Sequence, residues 1–211
     1  VKNIFQFDPH KRWNLFHWAL CRLADGAYNQ SIIGYLQTGR FRVWVPGVAK
    51  LDRSHPEAAL KSDFVGLNYY ANLILSIFMK REPPFEPHAR EGQVLTDMPY
   101  AIYAEGFYRA LMRLKPLGKP IIVTENGIAD DRDDRRALWI ERYVYAMSRA
   151  IADGVDVRGY HYWSLIDNFE WAEGWQMSFG LYANNRETQE RTLREGSLAY
   201  RNIVEKWSSD A

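Results

Sequence analysis

With 211 residues, 47% of them hydrophobic, the chain is long enough to bury the core of one domain, and a single domain over residues 1–211 is expected. Its 27 basic and 26 acidic residues leave a formal charge of +1 with no basic stripe, which excludes an electrostatic case for nucleic acid or an anionic membrane. No apolar run reaches the length of a membrane span, no signal-peptide pattern opens the chain, and Cys21, the only cysteine, excludes an internal disulfide; the cytoplasm is the expected location. Val1 is not an initiator Met, so the natural N-terminus is expected to lie upstream.

Val1 to Ile4 reads as the end of a strand. Lys11 to Thr38 reads as two helices broken near Asp25-Gly26, with Cys21 in the core of the first. Asp63 to Tyr70 is the next strand, and its apolar run Phe64-Val65-Gly66-Leu67 suits a strand covered on both faces. Arg81 to Gln93, with Pro83, Pro84 and Pro87, reads as a surface loop. The spacing of Ile102, Phe107, Ala110, Leu111 and Leu114 predicts a helix over Tyr100 to Leu114, stopped by Pro116 and Gly118. The strand Pro120 to Thr124 follows. A helix from Asp134 to Ala152 comes next, with the stripe Leu138, Tyr143, Val144, Met147, Ala150 and Ile151. The strand Gly159 to Leu165 and a helix from Thr192 to Trp207 complete the chain. Helices alternating with short apolar strands predict βα units around a parallel sheet.

Three segments carry chemistry. In Val123-Thr124-Glu125-Asn126-Gly127, a β-forming run ends on a carboxylate followed by a turn-forming pair, which puts Glu125 at the C-terminal lip of a strand, where parallel α/β folds gather their chemistry. A lone Glu there is ordinarily a loop-entrance residue. Asp63-Phe64-Val65-Gly66-Leu67-Asn68-Tyr69-Tyr70 is the second segment, and Tyr162-Trp163-Ser164-Leu165-Ile166-Asp167-Asn168-Phe169-Glu170-Trp171 the third. Aromatic residues make up 15% of the chain; sugar clefts use such flat side chains, as do cores and interfaces. Together, and in this order, the three segments resemble glycoside hydrolase family 1, the retaining β-glycosidases.

The resemblance implies a (β/α)8 TIM barrel of which this chain holds only the C-terminal half, about strands 5 to 8. Only three convincing strands and the remnant at Val1 to Ile4 can be read, where a full barrel needs eight. It also implies roles. Glu125 matches the nucleophile, and Tyr70 the tyrosine that donates a hydrogen bond to it. Asn68 matches a polar residue near both nucleophile and sugar. Trp163 resembles the floor of the sugar subsite, Glu170 and Trp171 the pair that grips its hydroxyls, and Phe179 an aromatic that completes the pocket or packs beside it. Glu170 further implies unphosphorylated glycosides, since a carboxylate would repel a phosphate. The family's acid/base lies in an Asn-Glu-Pro tripeptide, and none occurs in this sequence.

Two functions therefore stand side by side. One is hydrolysis of terminal β-D-glucosidic bonds, with galactose or fucose tolerated, through an intermediate on Glu125 and with a complementary N-terminal half supplying the acid/base. The other is a non-catalytic half-barrel that binds sugar or supports assembly. The expected partners are a β-glucoside or short β-linked oligosaccharide, and a complementary half or a second copy. His161 reads as core or second to the site, Glu173 as structural or at the rim, and Asp130 to Asp134 as helix-start chemistry. His10, His17, His55 and His88 lack metal-ligand spacing, and no cofactor fingerprint occurs, so neither metal nor cofactor is expected.

Overall fold

The computed structural model describes residues 1–77 and 90–209. In chain order it contains β1 (Lys2–Asn3), β2 (Gln6–Pro9), α1 (Leu15–Asp25), a π turn (Gly26–Gln30), α2 (Ser31–Thr38), β3 (Arg40–Val45), β4 (Ala49–Ser54), β5 (Val65–Asn68) and β6 (Asn72–Leu75). Then follow α3 (Ala104–Leu114), β7 (Ile121–Asn126), α4 (Arg136–Ala152), β8 (Val157–Tyr162), β9 (Tyr182–Asn184), β10 (Arg191–Leu193) and α5 (Leu198–Ser209). The central sheet is parallel, in the order β1-β5-β7-β8, and each neighbouring pair is joined by a helical crossover.

Alternation along the strands decides which side chains meet the helices. Val65, Leu67, Ile121 and Val123 point into a core shared with Phe107, Leu111 and Leu114 of α3 and with Trp139, Ile140 and Tyr143 of α4. Trp139 and Tyr143, one helical turn apart, stack at 3.9 Å between ring centroids. The opposite face is only partly covered. Gly66 sits there because a Cβ would lie 2.9 Å from Val1 Cγ2 and 3.2 Å from Thr124 Cγ2. His161 is exposed rather than in the core or behind the site, because no second layer covers its part of the sheet among the described residues.

Several predicted bounds shift, each for a local reason. The break near Asp25-Gly26 is a π turn that keeps the helical path. Gly26 takes helical angles (φ −58°, ψ −47°), and the Ser31 N–H bonds back to the Gly26 carbonyl. The wider turn directs Asn29 inward, where its amide donates to the Phe5 carbonyl at 2.8 Å. The α3 helix starts at Ala104, because Ala101 bridges Leu95. The α5 helix starts at Leu198 rather than Thr192, because Arg191–Leu193 pairs with β9 instead. On α4, Leu138 and Ile151 are exposed, and Trp139 and Ile140 take the core positions. The hairpin of β3 and β4 turns at Pro46-Gly47, with Gly47 at φ +69°. Of the Pro-rich loop at 81–93, residues up to 89 lie outside the described set; Arg90 and Gln93 form a turn.

One cation ties these layers to the loops above the sheet. Arg136, at the start of α4, is fully buried, and every N–H of its guanidinium has an acceptor. Nε donates to Asp133 at 2.6 Å, Nη1 to the Tyr162 hydroxyl at 2.8 Å and the Phe179 carbonyl at 3.2 Å, and Nη2 to the carbonyls of Asp130 at 2.8 Å and Ser178 at 3.0 Å. The buried Asp130 caps the same helix, accepting from the N–H groups of Arg135 at 2.8 Å and Arg136 at 2.9 Å. The acidic run is thus helix-start chemistry, with the helix itself beginning two residues later than Asp134. Arg136→Met is expected to cost about 3–5 kcal/mol, because it strands the Asp133 carboxylate and several buried carbonyls. Urea unfolding measures this; a loss below about 1 kcal/mol would show that water replaces the guanidinium.

Candidate active site

The site stands at the C-terminal ends of β5, β7 and β8, where the strand registers shift. Partners slip between Leu67 and Asn68 on β5, and between Val123 and Asn126 on β7. These irregularities re-aim the last side chains of each strand. Glu125 lies half-buried in that region, and the Tyr70 hydroxyl donates to its Oε2 at 2.9 Å. Burial, the Glu125 charge and this hydrogen bond all push the Tyr70 phenol up, so it keeps its proton and acts as a donor. Beside them the Thr124 hydroxyl donates to Asn68 Oδ1 at 2.5 Å.

Asn126, read from sequence as part of a turn, is instead the fully buried last residue of β7. Its amide donates to the Tyr69 carbonyl on the β5 side, and its Oδ1 accepts from the Tyr160 hydroxyl of β8 at 3.0 Å. Its side chain therefore links the neighbours of β7 across the strand that carries Glu125. Gly127 has a second reason to be glycine. An added Cβ would fall 1.7 Å from the Trp163 carbonyl, which packs directly on it. The Trp163 N–H meanwhile donates to the Asn126 carbonyl at 3.0 Å, so the end of β8 is laid against the end of β7.

The loop after β8 brings the remaining predicted residues into two groups. Trp163, followed by a cis peptide to Ser164, lies beside Glu170. Burial pushes the Glu170 carboxyl up; the neighbouring Trp163 side chain opposes this, while the charges of Glu125 and Glu173 add to it. Glu170 Oε2 is buried without a hydrogen-bond partner. Phe179 is buried and meets the Tyr70 ring edge-on at 6.4 Å. Glu125, Tyr70, Asn68, Trp163, Glu170 and Phe179 thus share one corner. Trp171 does not close it: its side chain is 81% exposed and its backbone takes φ +42° in a short 3-10 turn. Glu173 is exposed at the rim. Tyr100, absent from the sequence reading, belongs nearby, since burial and the charges of Glu170 and Glu173 all raise it. No motif marked it.

A parallel α/β sheet with a tyrosine-held carboxylate at a strand end defines a class: βα folds that gather polar side chains at the C-terminal ends of their strands. The chain belongs to glycosyl hydrolase family 1, which its residues 6–208 match. It is 34% identical over 164 residues to a β-galactosidase of Pyrococcus woesei, and 35% identical over 172 residues to β-glucosidase A of Acetivibrio thermocellus. Those alignments cover 68% and 73% of this chain but only 32% and 38% of the relatives. The β-glucosidase of Thermotoga maritima, solved in complex with glucoimidazole, superposes with a TM-score of 0.81 at 27% identity, covering 97% of this chain and 50% of that one. A β-glycosidase from Pyrococcus horikoshii gives 0.78 at 32% identity, covering 96% and 47%. The chain thus corresponds to about half of the family's (β/α)8 barrel.

Among the described residues, no three His, Cys, Asp or Glu side chains gather as a metal site requires, and no helix is long and apolar enough to cross a membrane. Two tests follow from the geometry. Gly127→Ala is expected to force the ends of β7 and β8 apart, since the added Cβ would meet the Trp163 carbonyl, and a thermal melt should show a lower Tm. The raised Glu170 binds its proton more tightly folded than unfolded, so it supports the fold in acid and loses that support as pH rises through its folded value. Glu170→Gln should therefore raise Tm at pH 7, and the gain should vanish below about pH 4. An equal gain at both pH values would assign the effect to something other than charge.

Proposed function

We propose that this chain carries the nucleophile half of a retaining β-glycosidase that hydrolyses terminal β-D-glucosidic bonds. The observation that carries the reading is the Tyr70–Glu125 hydrogen bond at the strand ends. The unpartnered Glu170 oxygen beside it suits a sugar, whose vicinal hydroxyls can donate to one carboxylate. In this mechanism Glu125 attacks the anomeric carbon as the bond to the leaving oxygen breaks, forming a glycosyl ester. Tyr70 keeps hold of Oε2 and orients the other oxygen for attack. A carboxylic acid about 5 Å away protonates the leaving oxygen, then takes the proton from the water that releases the sugar and frees Glu125.

That acid is the part we assign to a complementary N-terminal half, with self-association of this chain as the other way to cover the open sheet. The substrate is an unphosphorylated β-glucoside or short β-linked oligosaccharide, because a phosphate would face Glu170. Glucose is the preferred sugar in this reading, with galactose or fucose accommodated, and the cytoplasm is the proposed location.

The test is intact-mass analysis after incubation with dinitrophenyl 2-deoxy-2-fluoro-β-glucoside, whose leaving group needs no acid. A gain of one fluoroglucosyl unit is expected on Glu125, absent in Glu125→Gln. In Tyr70→Phe its formation should slow by about 10²-fold, the scale of losing one donor aimed at a reacting oxygen. An adduct on another residue, or none when a complementary half is co-expressed, would rule the mechanism out.

A further inference from the structure

Beside the loop that carries Glu170 lies a cavity of about 340 Å³, lined by Asp131, Asp167, Trp175, Ser178, Asn184 and Arg194 among others. Its wall is continuous with the site: Ser178 faces the cavity, and its neighbour Phe179 packs on Tyr70. Two of its lining residues carry polar atoms without partners just beneath the wall. Asn184 Oδ1 is a buried acceptor without a donor, and Arg194 Nε a buried donor without an acceptor. Its charges, by contrast, balance. Arg194 holds Asp167 at 2.6 Å, the Ser178 hydroxyl donates to Asp131 at 2.9 Å, and Arg186 lies over the Trp175 ring, 5.5 Å from its centroid. Two carboxylates against two guanidinium groups favour neither an anion nor a metal cation.

We infer that this cavity is a second binding site for a neutral, hydroxyl-rich ligand the size of one pyranose ring. A sugar hydroxyl is donor and acceptor at once, so one ring can give a hydrogen to Asn184 Oδ1 and take one from Arg194 Nε once those side chains adjust toward it. Trp175, half-exposed, and Met177 supply apolar surface for the C–H face of the ring. The volume lies at the small end of the roughly 300–1,000 Å³ range of small-molecule sites, which fits a monosaccharide better than a chain. An occupant would rest against the Asp167–Arg194 pair, which fixes the loop through the Gly180 N–H donated to Asp167 at 2.7 Å. The site therefore gives a free sugar a way to act on the loop bearing Glu170 without entering the nucleophile corner.

Saturation-transfer NMR and calorimetric titration of the full chain with methyl β-D-glucopyranoside test this, using Glu170→Ala to disable the first site. Binding should persist in Glu170→Ala and weaken about tenfold in Asn184→Leu, the scale of one lost hydrogen bond. Because Trp175 is half-exposed, Trp175→Ala serves as a second variant with an intact fold, checked by circular dichroism, and should weaken binding as well. Binding that vanishes in Glu170→Ala and is indifferent to Asn184→Leu and Trp175→Ala would place the sugar only at the nucleophile corner and overturn the inference. No binding to any form would overturn it too, showing that the cavity holds water alone. Neither outcome bears on covalent trapping at Glu125, which is read separately by mass.

Discussion

A fully buried guanidinium is expensive to desolvate, and Arg136 is tolerable only because each of its donors is met. That condition is what organises the upper part of the molecule. The acceptors come from the loop after β7, from the end of β8 and from the segment at Ser178 and Phe179. Pairing of β7 with β8 brings the first two together, and the third, which belongs to no strand, joins them through this guanidinium and through backbone hydrogen bonds from Asp130 and Ser164. Asp130 fixes the start of α4 at the same point, so helix, strand ends and returning loop converge on one charge. The active corner lies directly above this junction, and Phe179 belongs to both: its carbonyl meets the guanidinium and its ring meets Tyr70.

Within the corner, scaffold and chemistry use neighbouring atoms of the same strand. Asn126 spends both ends of its amide on β5 and β8, while Glu125, one residue earlier, turns to Tyr70. Gly127, one residue later, clears space for Trp163. Three consecutive residues thus set the lateral spacing, the carboxylate held by Tyr70 and the contact with the next strand. The short string Glu125-Asn126-Gly127 reads as dense because each position meets a separate geometric demand.

The sequence exposed these demands unevenly. Hydrophobic spacing located α3, α4, β5 and β7, because each buries a stripe or run that only tertiary contact satisfies. The small elements were harder. β2 and β6 pair four residues each beside the main sheet, too short for a periodic signal. The hairpin of β3 and β4 alternates around a Pro-Gly turn, a short signal next to the stronger helical pattern before it. Gly26 suggested a break because glycine often ends a helix, yet nothing there requires a positive φ. At the site, the family resemblance named Glu125, Tyr70, Asn68, Trp163, Glu170 and Phe179, and the fold brings these six side chains to one corner. Motifs fix residue types but not exposure, which is why Trp171 stands in solvent and Tyr100 entered unannounced. His161 shows the same limit: alternation assigns it a face, and only the layers present decide whether that face is covered.

The hydrogen bond between Tyr70 and Glu125 joins residues 55 positions apart, and the amide of Asn126 reaches Tyr69 over 57. Contacts of that span form only after a long segment has been closed, whereas the turns of α3 and α4 need neighbours three or four residues away. A chain can therefore hold most of its helical content while its strand ends are still apart, and in that state Glu125 is an ordinary solvated carboxylate. The tyrosine–carboxylate contact serves as a marker of completed assembly, formed at the last long-range step rather than growing with secondary structure.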